Sequence, residues 1–231
     1  LNGTKCFITN APIADKITLF ANTREGGGIR GLTVFLVDAD TKGISIGKEE
    51  DKMGIRASAT AEIIFEDCFV PDSALVGKEG RGFMIAMQTL QMSRPVVAAI
   101  SVGIAQAAIE AAVAYSHHRK QFGVKIATFE MVQQMIADMV MKTEAARILT
   151  YKACVAQMNK DKKAGLYSAM SKCFASDTAM EVTTTAVQVM GGNGYSRENP
   201  VEKYMRDAKI MQIYEGTNQI QRLVIANEAT S

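Results

Sequence analysis

Glu215 stands in the stretch "IYEGTNQIQR" (213–222), a single carboxylate between an aromatic residue and a glycine, directly before an amphipathic run. Desolvation by apolar neighbours makes a carboxylate a stronger base, which is the chemistry of proton abstraction. Taken alone, an exposed turn glutamate is the commoner explanation of such a residue. Thr217 is placed to cap the helix that follows, leaving its first amides free for a ligand. Just upstream, "YMRDAK" puts Arg206 and Asp207 on a helix, where such a pair most often ties helices together as a structural ion pair.

Two further stretches offer binding chemistry. "QVMGGNGY" (188–195) ends a long helix with Gly191, Gly192 and Gly194 close together. A C-cap explains one glycine; the excess suits a backbone that a phosphate or planar ring approaches closely, and the two readings weigh about equally. "HHRKQFG" (117–123) ends another helix. A cation there commonly offsets the helix dipole, and Arg119 is alternatively a fork for phosphate. His117 and His118 lack a Cys, Asp or Glu at ligand spacing, so no metal site is expected. "EGGGIRG" (25–31) has neither the lysine nor the helix start of a phosphate loop and reads as a hairpin turn.

The elements that must position these residues divide into two kinds. "DKITLFANT", "GLTVFLVDA" and "ATAEIIFEDCFV" are short runs rich in β-branched and aromatic residues, so residues 1–76 read as strands. From Gly80 the apolar period becomes 3.6: Val132, Met135, Ile136, Met139 and Val140 share one helix face, with Thr128 as N-cap and Glu130 in the first turn. Helices are predicted over 80–93, 95–118, 128–158, 164–190, 200–210 and 217–228, with Pro95 as a break or first-turn proline. The fold class is α+β: a β-strand domain over 1–78, a partial barrel or sandwich, then an up-down bundle of long helices over 79–231.

Bulk properties fit this picture. The 231 residues are 48% hydrophobic and 22% charged, enough for at least one sizeable core. A formal charge of +2 gives no argument for nucleic acid or an anionic membrane as partner. No apolar run is expected to reach the ~20 residues of a membrane span. Cys6, Cys68, Cys154 and Cys173 are scattered and read as reduced, mostly buried thiols of an intracellular compartment. Fourteen Met and no Trp suggest an adaptable helical core.

Several stretches in order, "KCFITNA", "EDKMGIRASATAEIIFEDCFVP", "GFMIAMQTLQMSRPVVAA", "GIAQAAIEAAVAYSHHRKQFG", "QVMGGNGYSRENPVEKYMRDAKI" and "IYEGTNQIQRLVIA", closely resemble the acyl-CoA dehydrogenase family. The resemblance runs through essentially the whole chain. It implies the later part of the family's middle β domain and its C-terminal helical domain, so the chain is expected to be a fragment of a longer enzyme. It also implies FAD as cofactor, a fatty acyl-CoA as substrate, a homotetramer, and an electron-transfer flavoprotein as partner. In such enzymes a glutamate takes the α proton while the β hydrogen leaves as hydride to the flavin, giving a trans-2-enoyl-CoA. The compartment implied is a bacterial cytoplasm or a mitochondrial matrix.

Residue by residue, Glu215 matches the family's base. Some relatives carry the base just before the arginine of the segment matching "QMSRP"; Ser93 occupies that position here and cannot serve. Arg94 and Gly216 match positions near the thioester end of the substrate. Phe7 and Thr9 match the segment lining the flavin ring, with Phe7 where many members have Trp. Arg119, Gln121 and Phe122 match residues meeting the FAD of a neighbouring subunit. Gln188, Gly191 and Gly192 match the segment touching its adenosine diphosphate part, and Thr217 and Gln219 match contacts just after the base. Phe129 and Glu130 depart from a His-Gln pair of some relatives, so no cofactor contact is carried onto them. "EDKMGIRASATAEIIFEDC" looks more like short-chain members and "SRPVVAA" more like medium-chain ones, which leans toward short or medium straight chains. Two alternatives stay open: an oxidase or enoyl-CoA reductase on the same scaffold, and an inactive oligomerising fragment.

Overall fold

A computed structural model describes residues 1–230. The chain divides into two compact units, one formed by Leu1–Thr89 and one from Leu90 onward.

The first unit is built from antiparallel strands. β1 (Gly3–Thr9), β2 (Lys16–Asn22), β3 (Leu32–Asp38), β4 (Ile44–Glu49), β5 (Thr60–Phe65) and β6 (Leu75–Val76) form two three-stranded sheets, ordered β1-β5-β4 and β2-β3-β6. β2 and β3 pair without a slip from Lys16–Asp38 to Asn22–Leu32, and the glycine-rich segment between them closes the hairpin with Gly26 and Gly28 at positive φ. Their inward residues Ile17, Leu19 and Val37 share one core with Ala61, Ile63 and Phe65 of β5, so the two sheets face each other as a sandwich. β1 is largely exposed and bulges between Lys5 and Ile8 where it pairs with β5.

The second unit is helical, and its residues belong to α1 (Gly82–His118, which begins in the strand unit), α2 (Glu130–Met158), α3 (Ala164–Met190), α4 (Val201–Lys209) and α5 (Asn218–Thr230). A small hairpin, β7 (Lys120–Gln121) and β8 (Val124–Lys125), joins α1 to α2. The main core gathers Ala105, Ala108 and Ala112 of α1, Met139 of α2, Val182 and Ala186 of α3, and Val201 and Ala208 of α4. The many alanines at these contacts let the helices approach closely. α3 is the most buried of the helices, with one exposed stripe through Phe174, Glu181, Thr184 and Gln188.

Four expectations are corrected. α1 is one helix with Pro95 inside it, not two helices broken there. Proline cannot donate to the carbonyl four residues back. That carbonyl, on Gln91, instead accepts from Gln157 Nε2 of α2 at 3.1 Å, so a neighbouring side chain replaces the missing backbone donor. Thr128 does not cap α2: its hydroxyl donates back to the Lys125 carbonyl at 2.7 Å, and Phe129 takes the N-cap position. Among the expected ion pairs, Arg206 and Asp207 bond Glu202 and Lys203 of their own helix, which i to i+4 spacing brings onto one face. Finally, α1 is long and apolar enough, by length and composition, to cross a membrane. Much of its apolar surface packs within the helical unit, through Ala98 and Val102 as well as the core residues above. The thiols also vary more than expected: all are free, but Cys6 is exposed and Cys154 half-buried.

Candidate active site

Glu215 sits in the link between α4 and α5, where a short 3-10 turn (Ile210–Gln212) ends and the chain reverses. Its φ is +57°, in the left-handed region that a side chain with a Cβ rarely adopts without support. Gly216 follows at φ +89°, and a Cβ there would lie 2.7 Å from Gln221 Nε2. Thr217 caps α5, its hydroxyl accepting from the Ile220 amide at 3.3 Å. The carboxylate is thereby held at a sharp, defined reversal of the chain.

Its surroundings come from α1, α3 and α5. Ser93 Oγ donates to Glu215 Oε2 at 2.5 Å. Arg94 is buried, and its Nε finds no acceptor among the described residues. Burial pulls the Arg94 guanidinium below its ordinary value, while the charge of Glu215 works the other way. Burial likewise pushes the Tyr214 phenol up, and Glu215 adds to that shift.

Beneath the turn lies a polar network that the sequence reading did not single out. Lys172 of α3 is fully buried and donates to the Gly216 carbonyl and to Asn218 Oδ1, each at 2.9 Å. Gln221 of α5, also fully buried, donates through Nε2 to the Glu215 carbonyl at 3.2 Å and the Gly216 carbonyl at 3.0 Å. Its Oε1 has no partner among the described residues. Asn218 Nδ2 passes the network on to Asp177 at 2.7 Å. Asp177 also accepts from Gln212 at 2.7 Å and Arg222 at 2.6 Å. Burial opposes the Asp177 charge, but these hydrogen bonds outweigh it and hold the carboxyl below the usual range.

Lys172 is pushed down to about 8, chiefly by burial; Cys173 and Asp177 resist the shift, Arg94 adds to it and Glu215 resists it. Between about pH 8 and 10.5 the unfolded lysine binds a proton that the folded one has released, so folding stability gains with rising pH in that window. Lys172→Met removes the titration. The stability difference, wild type minus variant, is therefore expected to rise between pH 8 and 10.5 in denaturant melts; a flat difference would exclude the shift.

A second cluster forms a cleft of about 470 Å³ between the end of α1, the β7–β8 hairpin, α2 and the end of α3. Arg119, Gln121, Gly191 and Gly192 line it, over a floor that includes Val132 and Met190. Gly191 ends α3 at φ 59°, ψ −136°, a conformation open only to glycine, and a Cβ built at Gly191 or Gly192 would meet no atom within 4 Å. Bare backbone, an arginine fork and an apolar floor together fit the diphosphate and flat ring of an adenosine diphosphate group.

The other predicted positions are placed as follows. Phe122 is at the hairpin tip, 93% exposed, its ring edge-on to Phe129, which lines the cleft. Gln188 is exposed, and its carbonyl accepts from the Gly191 amide. Gln219 is exposed in the first turn of α5. In the strand unit, Phe7 lies within the β1 bulge at φ +55° and is 71% exposed, and Thr9 pairs with Thr60 at the end of the strand. Bulges of this kind re-aim side chains at functional edges.

The model of the acyl-CoA dehydrogenase C-terminal domain matches residues 80–230, and that of the middle domain matches residues 1–68. The chain belongs to the acyl-CoA dehydrogenase family. A probable acyl-CoA dehydrogenase of Mycobacterium tuberculosis is 51% identical over 226 residues, covering 98% of this chain and 58% of its own length. The structure of butyryl-CoA dehydrogenase from Megasphaera elsdenii is similar at a TM-score of 0.97 and 48% identity, over 100% of this chain and 60% of that one. A chain in a structure described as electron transferring flavoprotein of Acidaminococcus fermentans is 52% identical, with a TM-score of 0.96, over 99% of this chain and 60% of that one. The chain thus spans 58–60% of the length of these relatives.

Proposed function

We propose that this chain is the later part of an FAD-dependent acyl-CoA dehydrogenase that converts a short or medium straight-chain acyl-CoA to its trans-2-enoyl-CoA, with Glu215 as the base. The observation that carries the proposal is the Glu215 carboxylate on a strained left-handed turn, hydrogen-bonded by Ser93 at 2.5 Å with buried Arg94 as its electrostatic counterpart. Loss of the α proton leaves its electron pair on the thioester, and that charge needs nearby donors and cations. Arg94, with a buried and unpartnered Nε, answers the need. Ser93 occupies Oε2, so Oε1 is the oxygen left to receive the proton. Gly216, where a Cβ would lie 2.7 Å from Gln221 Nε2, lets the turn close beside the acyl group.

Arg119, Gln121, Gly191 and Gly192 are assigned to the adenosine diphosphate end of a neighbouring subunit's FAD, together with Gln188 and Phe122, whose ring packs edge-on to Phe129 of that cleft. In the strand unit, Phe7 and Thr9 are assigned to a flavin ring on the family resemblance, and Thr217 and Gln219 contribute beside the base. When bound, FAD supplies the acceptor for the β hydrogen and its electron pair. The likeness to a chain in an electron transferring flavoprotein structure supports such a protein as the next electron acceptor, and family resemblance supports a homotetramer.

Anaerobic mixing of the full-length enzyme with butyryl-CoA tests the function. The flavin absorbance is expected to bleach, and turnover in air to consume no oxygen. Oxygen consumed in step with turnover would make the enzyme an oxidase. Absence of bleaching with any acyl-CoA from four to twelve carbons would overturn the proposal.

A further inference from the structure

We infer that Lys172 and Gln221 are positioning residues for the base: they grip the turn by its carbonyls and so fix the direction of the Glu215 carboxylate. The inference rests on the reading of Glu215 as the base. Neither side chain touches the carboxylate itself. Gln221 Nε2 bonds the carbonyls of both Glu215 and Gly216, and Lys172 Nζ bonds the Gly216 carbonyl a second time. Two buried donors therefore converge on the peptide groups that define a φ of +57° followed by one of +89°.

The chemistry of the grip is unusual for a structural contact. An ammonium taken out of water carries a large desolvation cost, and a helix needing only to pack would carry an apolar side chain there. Around Lys172 the buried positions of α3 are small: Ser168, Ala169, Ser171, Ala175 and Ser176. They clear a space through which one long side chain reaches the turn, 44 residues along the chain. Asn218 completes the arrangement, because its Oδ1 accepts from Lys172 while its place opening α5 joins the clamp to the helix after the base. No side chain can be added at Gly216 without displacing Gln221 Nε2, so turn and clamp fit as one piece. Releasing a carbonyl lets the strained residue relax toward common backbone angles, swinging the carboxylate away from Ser93. Displacement of a reacting group by about an ångström costs on the order of 100-fold in rate.

The test uses the full-length, FAD-loaded enzyme and two readouts. The first is steady-state turnover of butyryl-CoA. The second is solvent deuterium entering the α carbon of a 3-thia-acyl-CoA, which can lose its α proton but, with sulfur at the β position, has no β hydrogen to give up. Lys172→Met is expected to lower kcat and deuterium entry together, by roughly 10- to 100-fold. KM and bound flavin should stay within about twofold, which global damage would not permit. Gln221→Met is the second variant, in case Lys172→Met does not fold; it also removes an oxygen that has no partner. It is expected to show the same pattern over the same range, since Gln221 supplies two of the three bonds to the turn's carbonyls. Either variant, folded and flavin-loaded but exchanging at the wild-type rate, overturns the inference. Glu215→Gln run alongside separates the two ideas: if it still exchanges the α proton, the base assignment itself is wrong.

Discussion

Glu215→Gln in the full-length enzyme is expected to keep its FAD and its thermal stability while reducing that FAD with acyl-CoA about 10²- to 10⁴-fold more slowly. The magnitude is that of losing a positioned general base. The substitution is nearly isosteric, and the carboxamide oxygen can still accept from Ser93 Oγ, which bonds Glu215 Oε2 in the native enzyme. The carbonyls of residues 215 and 216 still meet Lys172 and Gln221, so the turn stays in place. What disappears is the capacity of Oε1 to take a proton. Rapid anaerobic mixing, with the flavin absorbance followed through reduction, measures the loss. A variant that reduces its flavin at the native rate would show that another group is the base. Ser93 would not be that group, since a neutral hydroxyl is a poor base and the carboxylate it bonds is the one removed in this variant.

The fold was readable wherever local periodicity settles structure. The apolar face of α2, the hairpin of β2 and β3, and the change of period near Gly80 all follow from patterns spanning fewer than thirty residues. At Pro95 a distant side chain overrides a local rule. Pro95 reads as a helix break, and Gln157, sixty-six residues from Gln91, removes the reason for one. The site divides in the same way. Glu215, Gly191, Gly192 and Arg119 stood out as unusual types in unusual positions. Ser93 reads in the sequence only as a position that lacks a base, because its bond to a carboxylate 122 residues away has no local trace. Lys172 carries no such mark, because an isolated lysine on a helix is ordinarily solvated. One signal was available: Ser168, Ala169, Ala175 and Ser176, three and four residues either side of Lys172, are all small, so that face packs closely and a long cation on it has to find acceptors.

Arg119→Ala is expected to strip FAD from the full-length enzyme while leaving the protein folded. Arg119 is exposed at the root of the β7–β8 hairpin, its backbone amide bonded to the Tyr115 carbonyl at 2.9 Å. Truncation therefore leaves the backbone bond intact and opens no cavity in the core. The loss falls on the ligand, since a guanidinium facing a diphosphate makes charge-assisted hydrogen bonds worth about 1.5–3 kcal/mol. Converted at about 1.4 kcal/mol per tenfold, FAD should bind roughly 10- to 150-fold more weakly. The lost bonds are ionic, so the difference between variant and wild type should shrink as salt is raised, through screening of the native contact. Flavin retained after extensive dialysis, read from its absorbance per protein chain, gives the result directly, with circular dichroism confirming the fold. Glycine geometry supplies the contrast: Gly191→Ala, at φ 59° and ψ −136°, should lose both flavin and stability, because its backbone cannot hold that conformation with a Cβ. Equal flavin content in Arg119→Ala and wild type, at low salt, would remove Arg119 from the cofactor site and leave the bare glycine backbone as the principal holder of the diphosphate.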